Sequence, residues 1–182
     1  RDVAPSRGLG DVYKRQMLGG SNAVNLTDGL DGLAGGLSAI AFLTFGIIAW
    51  GSGWVDGYQD IAVFCFILVG SLLGFLIFNT YPAKVFMGDT GSLALGATLA
   101  TVAVLTDHEI TLLAVMGVFI IETLSVIIQS ISVRFFHKKV FLMTPLHHHF
   151  EKLGWEERDI VKAFWVVGFI LAMAGIAFGV WI

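Results

Sequence analysis

The chain has 182 residues, of which 56% are hydrophobic and 14% are charged. Soluble domains carry about a quarter charged residues, so this composition excludes a disordered chain and indicates an integral membrane protein or unusually apolar core helices. A single cysteine, Cys65, excludes a disulfide scaffold, and a net charge of −3 leaves no basic excess for binding nucleic acid.

The N-terminal residues do not resemble a membrane segment. Residues 1–16 are polar, include Pro5, Gly8 and Gly10, and show no helical or strand periodicity. We predict that they are a non-native leader or scar, separate from residues 17–182, which belong to a membrane domain. Residues 17–24 resemble the end of a membrane helix whose beginning is missing, so the chain is predicted to be truncated.

Apolar segments then follow that are long enough, or nearly long enough, to cross a bilayer. The shortest, 92–106, suits close helix packing through Gly96 and its small residues, although a buried half-helix is the alternative interpretation. The predicted fold is an all-α polytopic transmembrane bundle with about five complete spans and the end of a truncated one. The five spans are 33–50, 61–78, 92–106, 110–133 and 160–182.

The connecting segments alternate in charge. If all five segments span, every basic residue after Arg15 falls on one side of the membrane, while the opposite connections contain acids and no Lys or Arg. By the positive-inside rule the basic side is cytoplasmic. Three polar clusters fall on that same side.

The first cluster covers residues 22–32. Asn25, Asp28 and Asp31 recur every three residues and therefore share one face of a helix or helical turn. The glycines among them allow a ligand or a neighbouring helix to approach the backbone. The alternative is a Gly-rich helix cap, but a cap needs only one such polar residue.

The second cluster covers residues 79–92 and includes Asn79, Lys84 and Asp89. Asp89 lies between two glycines before a predicted membrane helix that Thr90 or Ser92 would cap. Such a carboxylate suits a hard cation, with a phosphate near the helix N-terminus. The spacing is not that of a Walker loop, and the alternative is a simple turn aspartate.

The third cluster covers residues 138–151 and contains His147, His148 and His149. Thr144 and Pro145 predict an N-cap and a first helical position, which places the histidines in a first turn. Adjacent helical residues point about 100° apart, so this pattern argues against a zinc site. It favours hydrogen bonds or positive charge offered to an anionic ligand. Glu122 and Gln129 are predicted to form a structural hydrogen-bond network inside the bundle.

A cation-binding carboxylate, groups that hold phosphates and a membrane scaffold indicate a substrate that is partly in water and partly in lipid. Phosphoryl transfer depends mainly on positioning and charge neutralisation, so a membrane enzyme acting on phosphorylated lipids is favoured. An ion-coupled transporter is the alternative. Transporters, however, place ionisable groups near the membrane midplane, whereas these clusters lie at the ends of spans.

Three motifs resemble those of the phospho-N-acetylmuramoyl-pentapeptide-transferase family, within the polyprenyl-phosphate N-acetylhexosamine-1-phosphate transferases. The resemblance covers about residues 17–182, which correspond to the later half of a ten-helix fold, and the histidine triplet is its most specific element. The motifs are Asn25-Leu-Thr-Asp28-Gly-Leu-Asp31-Gly, Pro82-Ala-Lys-Val-Phe-Met-Gly-Asp89-Thr-Gly-Ser and Thr144-Pro-Leu-His-His-His-Phe-Glu.

The resemblance implies a magnesium-dependent reaction at the cytoplasmic face of the bacterial inner membrane. Phospho-N-acetylmuramoyl-pentapeptide would pass from its UDP carrier to undecaprenyl phosphate, giving lipid I and UMP for peptidoglycan synthesis. It also implies a homodimer, and an acceptor tail lying beside the bent helix that ends near Val133.

The same resemblance assigns the site residues. Asp89 would be the Mg²⁺ ligand and, with His148, a catalytic residue. Phe86 would stack on uracil, and Asp31 would read its edge. The substrate-binding residues would be Asn25, Asp28, Asp31, Asn79, Phe86, His147, His148 and His149.

One departure from the family pattern concerns an adjacent aspartate pair. The family carries an Asp-Asp-x-x-Lys motif on an earlier cytoplasmic loop, and this chain contains no Asp-Asp pair. We therefore expect the chain expressed alone to be inactive.

Overall fold

A computed structural model describes residues 7–52 and 55–179. Within these ranges the chain forms eight α-helices and no strand, as the predicted all-α fold requires. Residues 1–6 of the predicted leader and 180–182 of the last predicted span lie outside the described residues. The helices are α1 Arg7–Thr27, α2 Leu33–Gly51, α3 Tyr58–Asn79, α4 Gly88–Leu105, α5 Glu109–Val115, α6 Gly117–Phe136, α7 Leu146–Lys152 and α8 Glu157–Gly179.

Five of these helices, α2, α3, α4, α6 and α8, are long and apolar enough to cross a membrane. The chain is therefore a multi-pass membrane protein in fold, and the prediction of about five spans is confirmed. The shortest of the five, α4, contains 18 residues and begins four residues before the predicted segment. Its length is that of a span rather than of a half-helix.

The first helix differs from the sequence-based expectation. α1 begins at Arg7, although residues 1–16 show no helical periodicity. Its later half packs closely against α4, where a Cβ on Gly96 would lie 2.2 Å from the Gly20 carbonyl oxygen. Once tertiary packing has nucleated a helix, each further turn forms at little cost, so the helix extends back into the polar segment. That residues 1–16 are a non-native leader stays a prediction.

The predicted 110–133 span is two helices. α5 ends and α6 begins on either side of Met116, so the chain bends there. Gly117 starts α6 at a close approach to α8, where an added Cβ would lie 2.7 Å from Leu171 Cδ1. The sequence did not predict this break, because the segment is apolar throughout and hydropathy does not show where one helix ends and the next begins.

The centre of the bundle is α2. Its aromatic and branched side chains Phe42, Phe45 and Ile48 are completely buried. The start of α8 packs on the start of α2, where Trp165 Nε1 donates to the Gly32 carbonyl 3.2 Å away. A buried central helix fixes the positions of its neighbours, because close-packed interiors tolerate little displacement.

One end of the bundle collects all three polar clusters, as the alternation of spans predicts. Asp31 contacts Ala83 and Glu157 across this end, and at the opposite end His108 Nε2 lies 3.0 Å from the Gly179 carbonyl. We call the end that contains Asp31 the polar end. It comprises the α1–α2 turn, the 80–87 loop and residues 137–156.

Candidate functional site

The first two clusters meet through Asn25. Its side-chain amide nitrogen donates to Asp89 Oδ1 and to Ser92 Oγ, each 3.0 Å away. Asn25 lies near the end of α1, and Asp89 lies in the first turn of α4. These hydrogen bonds orient the Asp89 carboxylate, whose side chain is exposed and free to bind a ligand.

A second carboxylate lies close enough to Asp89 to repel it. Burial and the neighbouring Asp89 charge raise the pKa of Asp28 to about 6. The two neighbouring carboxylates form a local surplus of negative charge. A divalent cation would relieve that surplus.

The donor set fits magnesium better than zinc. A metal site enclosed by protein needs three or more His, Cys, Asp or Glu side chains that converge on one point. Residues 7–52 and 55–179 contain no such group. Mg²⁺ instead uses one or two carboxylates, with water and substrate phosphates completing its shell. Asp89, with Asp28 nearby, matches that simpler requirement.

The remaining residues of the first and second clusters shape the 80–87 loop. Asp31 Oδ2 accepts from the Ala83 N–H at 2.8 Å, and the Asp31 N–H donates to Glu157 Oε1 at 2.7 Å. Asn79 is 4% exposed, and its amide donates to the Val85 carbonyl at 2.9 Å. Both side chains therefore hold the loop, and Asn79 is buried away from solvent.

The loop presents one aromatic ring to solvent. Phe86 is 74% exposed at the polar end, beside the start of α4. An exposed phenyl ring held by a fixed loop offers a flat face on which an aromatic ligand can stack. The structure thus places Phe86 on the surface, and Asp31 and Asn79 in the support behind it.

The three histidines have different surroundings, although the rings of His147 and His148 lie close together, with 4.2 Å between their centroids. His147 is completely buried, His148 contacts Glu151 through Nδ1, and His149 Nδ1 accepts from the Leu142 N–H at 3.1 Å. His148 is available to a ligand, because its side chain is 29% exposed and its Nε2 is not used in the Glu151 contact. His147 faces the interior.

Glu122 anchors the helix that carries these histidines. Its carboxylate is completely buried, and Oε2 accepts from the Leu146 N–H at 2.6 Å while Oε1 accepts from the His147 N–H at 3.2 Å. His147 Nδ1 lies 3.3 Å from Oε2, an electrostatic contact without hydrogen-bond geometry. The predicted N-cap, Thr144, is wrong, because α7 begins at Leu146 and Glu122 accepts from its first amides.

The caps predicted for α4 are also wrong. α4 begins at Gly88, so Thr90 and Ser92 lie inside the helix, and the Ser92 hydroxyl donates back to the Gly88 carbonyl at 3.1 Å. Gly88 has a φ of 66°, a left-handed conformation that glycine adopts without strain. This turn places Asp89 at the second position of the helix, where its side chain is exposed.

Gly29 joins the first and third clusters. A Cβ on Gly29 would lie 2.3 Å from His147 Nε2 and 3.0 Å from Cε1. The imidazole therefore packs directly against the α1–α2 turn, next to Asp28. Only a residue without a side chain permits that contact.

Replacing Gly29 with alanine should displace His147. The φ of Gly29 is not positive, so the cost is steric and should amount to about 1–3 kcal/mol, the usual cost of overpacking. We expect the thermal midpoint of the detergent-solubilised chain to fall by several degrees, at about 2–4 °C per kcal/mol. In the control, Gly19→Ala, the new Cβ meets nothing within 4 Å, and the midpoint should hold or rise. An equal midpoint in both variants would contradict the contact.

Sequence reasoning missed some supporting residues and identified others. Glu122 and Gln129 each form hydrogen bonds to backbone groups of residues 140–147, as predicted, but Gln129 is half-buried beside the returning chain rather than inside the bundle. An acidic residue in an apolar helix was the available signal. Glu157, which binds the Asp31 N–H, carried no signal because charged residues are ordinary at the start of a helix.

The sequence of the chain is similar to those of known proteins. The sequence profile of glycosyl transferase family 4 matches residues 16–107. A phospho-N-acetylmuramoyl-pentapeptide-transferase of Geobacillus sp. (strain WCH70) is 60% identical over 100% of the chain and 55% of its own length. Proteins of the same name from Geobacillus thermodenitrificans and Bacillus subtilis are 59% and 55% identical, each over 91% of the chain and 50% of their own length. The chain thus spans about half the length of these relatives.

Proposed function

Because this chain belongs to glycosyl transferase family 4, we propose that it is part of a membrane transferase that makes the first lipid-linked peptidoglycan precursor. The substrates would be UDP-N-acetylmuramoyl-pentapeptide and undecaprenyl phosphate, and the products would be lipid I and UMP. The observation that carries the proposal is the convergence of the three motifs at one end of the bundle. Asn25 joins the first to the second, and Gly29 joins the first to the third.

The proposed reaction exchanges one phosphoanhydride bond for another. An oxygen of the acceptor phosphate forms a bond to the β-phosphorus of the nucleotide sugar, and the bond from that phosphorus to the bridging oxygen breaks. UMP leaves with the α-phosphate. Little covalent chemistry falls to the protein in such a transfer, so the residues act by holding and neutralising the phosphates.

Each exposed side chain of the site has a distinct part in this proposal. Asp89 would bind Mg²⁺, and the hydrogen bond that Asn25 donates would keep the Asp89 carboxylate in position. The cation would neutralise charge at the diphosphate. Phe86 would stack on uracil, and Asp31, through the loop it holds, would set the position of that ring. His148 would donate a hydrogen bond to the sugar phosphate, while His147 and His149 would fix its helix.

The acceptor tail would lie in the membrane beside α6. An apolar cavity of about 270 Å³ runs between α1, α5 and α6, which supports this placement. We further propose that the polar end faces the cytoplasm at the bacterial inner membrane, because the basic residues gather there. The assembled protein would be a homodimer, as the family resemblance implies.

We predict that membranes containing only this chain release no UMP from UDP-N-acetylmuramoyl-pentapeptide. The chain spans about half the length of its relatives and contains no Asp-Asp pair. A chimera in which residues 17–182 replace the matching segment of the Bacillus subtilis relative should release UMP. UMP production by the isolated chain would contradict the prediction.

An ion-coupled transporter, the alternative function, would give a different result in the same chimera. Sealed vesicles would accumulate the nucleotide sugar unchanged, without UMP and without a lipid product. Conversion of the substrate with no net accumulation is the expected result. Accumulation without conversion would overturn the proposed function.

A further inference from the structure

The chain turns back on itself after α6. α6 ends at Phe136, His137 has a φ of 52°, and the Ser132 hydroxyl donates to the Lys138 carbonyl at 2.8 Å. Gln129 Oε1 then accepts from the N–H groups of Val140 and Phe141, both at 3.0 Å, and its amide donates to the Phe141 carbonyl at 3.0 Å. The returning chain therefore lies along the last two turns of α6.

This arrangement solves a problem particular to membranes. Non-helical backbone next to lipid has no water with which to form hydrogen bonds, so its polar groups need partners from the protein. Gln129 and Ser132 provide those partners from a helix that is long and apolar enough to cross a membrane. The returning segment is thus equipped to lie at the level of the membrane surface rather than in free solution.

The side chains of this turn are largely apolar and point outward. Residues 134–143, which we call the basic-aromatic turn, contain five large apolar side chains that are 42–70% exposed. Aromatic residues concentrate at the boundary between lipid and water, where a ring can contact both. The five are Phe135, Phe136, Val140, Leu142 and Met143.

The same turn contains uncompensated positive charge. Arg134, Lys138 and Lys139 are exposed, and none of them forms an ion pair with any residue of the described part. Between Glu122 and Glu151 the sequence contains no acidic residue. Two other bases near the polar end differ, since Arg158 and Lys162 pair with Glu156 and Asp159 at 3.3 and 3.4 Å, whereas Lys84 and Lys152 are also exposed and form no ion pair within the described residues.

We propose that the basic-aromatic turn is a binding surface for the headgroups of anionic phospholipids. The exposed apolar side chains would enter the acyl boundary, and the three bases would contact phosphates in the headgroup layer. An acidic soluble protein would satisfy the bases but would leave Phe135, Phe136 and the aliphatic side chains against water. A lipid satisfies both sets at once, and this binding is independent of the proposed transferase reaction.

The expected strength follows from the number of bases. A Lys or Arg near an anionic membrane surface contributes about 1 kcal/mol, which is about fivefold in lipid binding. Lys138→Gln/Lys139→Gln should therefore reduce the preference for anionic lipid by about 30-fold. Both side chains are exposed, so the substitutions should leave the bundle folded.

The experiment uses the whole chain in nanodiscs that contain equal amounts of phosphatidylglycerol and phosphatidylcholine. Native mass spectrometry of the released protein gives the ratio of the two lipids that remain bound. The wild-type chain should retain phosphatidylglycerol in excess, Lys138→Gln/Lys139→Gln should lose that excess, and Lys138→Arg/Lys139→Arg should keep it. The matched control, Arg158→Gln/Lys162→Gln, removes the same charge from paired bases and should change the ratio little.

Three outcomes would overturn the proposal. One is an unchanged lipid ratio in Lys138→Gln/Lys139→Gln, and another is an equal loss in the Arg158→Gln/Lys162→Gln control. The third is displacement of the bound lipid by inorganic phosphate at matched ionic strength, which would identify a site for free phosphate. Each outcome is read from bound lipid, so transferase activity does not enter the result.

Discussion

Asp89→Asn in the full-length chimera should reduce turnover by about 10³-fold while leaving the protein inserted and folded. Removing the charge removes the proposed cation ligand, and a catalytic metal ion supplies several kcal/mol, at about 1.4 kcal/mol per factor of ten. The fold should survive because the asparagine carbonyl oxygen can still accept the hydrogen bond that Asn25 donates to Asp89 Oδ1. Rates of UMP release over a magnesium titration give the measurement.

The matched control for this variant is Asp60→Asn. Asp60 is exposed in the first turn of α3, at the end of the bundle opposite Asp89. It should keep the wild-type rate and the wild-type dependence on magnesium. Unchanged magnesium-dependent turnover in Asp89→Asn would contradict the assignment of Asp89 to the cation.

Glu122→Leu should loosen the helix that carries the histidines. The substitution leaves the N–H groups of Leu146 and His147 without acceptors, and an unsatisfied buried donor costs about 1–3 kcal/mol. A local cost of about 2 kcal/mol corresponds to about 30-fold faster amide hydrogen exchange in α7. Hydrogen–deuterium exchange of residues 146–152 in detergent micelles gives the measurement.

Two further variants make this result specific. Glu122→Gln keeps one side-chain oxygen as an acceptor and should show intermediate exchange. Glu156→Leu removes an exposed carboxylate near the same end and should leave α7 protected. Equal exchange in Glu122→Leu and the wild type would show that Glu122 does not hold α7.

The number and approximate positions of the spans were predictable, because hydropathy determines which segments a bilayer accepts. The gathering of three clusters at one end followed from the number of crossings between them. Asn25, Asp28 and Asp89 were recognisable from their residue types and spacing. These features depend on the chain's own local pattern.

The features that sequence did not reveal depend on contacts between distant residues. The bend at Met116 depends on α8, the extension of α1 on α4, and the start of α7 on Glu122. Thr144 was a reasonable N-cap by local preference, but a buried carboxylate from α6 supplied the acceptor instead. Likewise, nothing in the local sequence distinguishes Asp31 and Asn79, which hold the 80–87 loop, from residues that face a ligand.

The fate of the two phosphates tests the proposed reaction most directly. The full-length chimera would be supplied with undecaprenyl phosphate and with UDP-N-acetylmuramoyl-pentapeptide that carries ³²P in either the α- or the β-position. The account predicts that the α-label appears in UMP and the β-label in the lipid fraction, in equal amounts. Recovery of the β-label in water-soluble sugar phosphate, or of both labels in unconverted nucleotide, would contradict it.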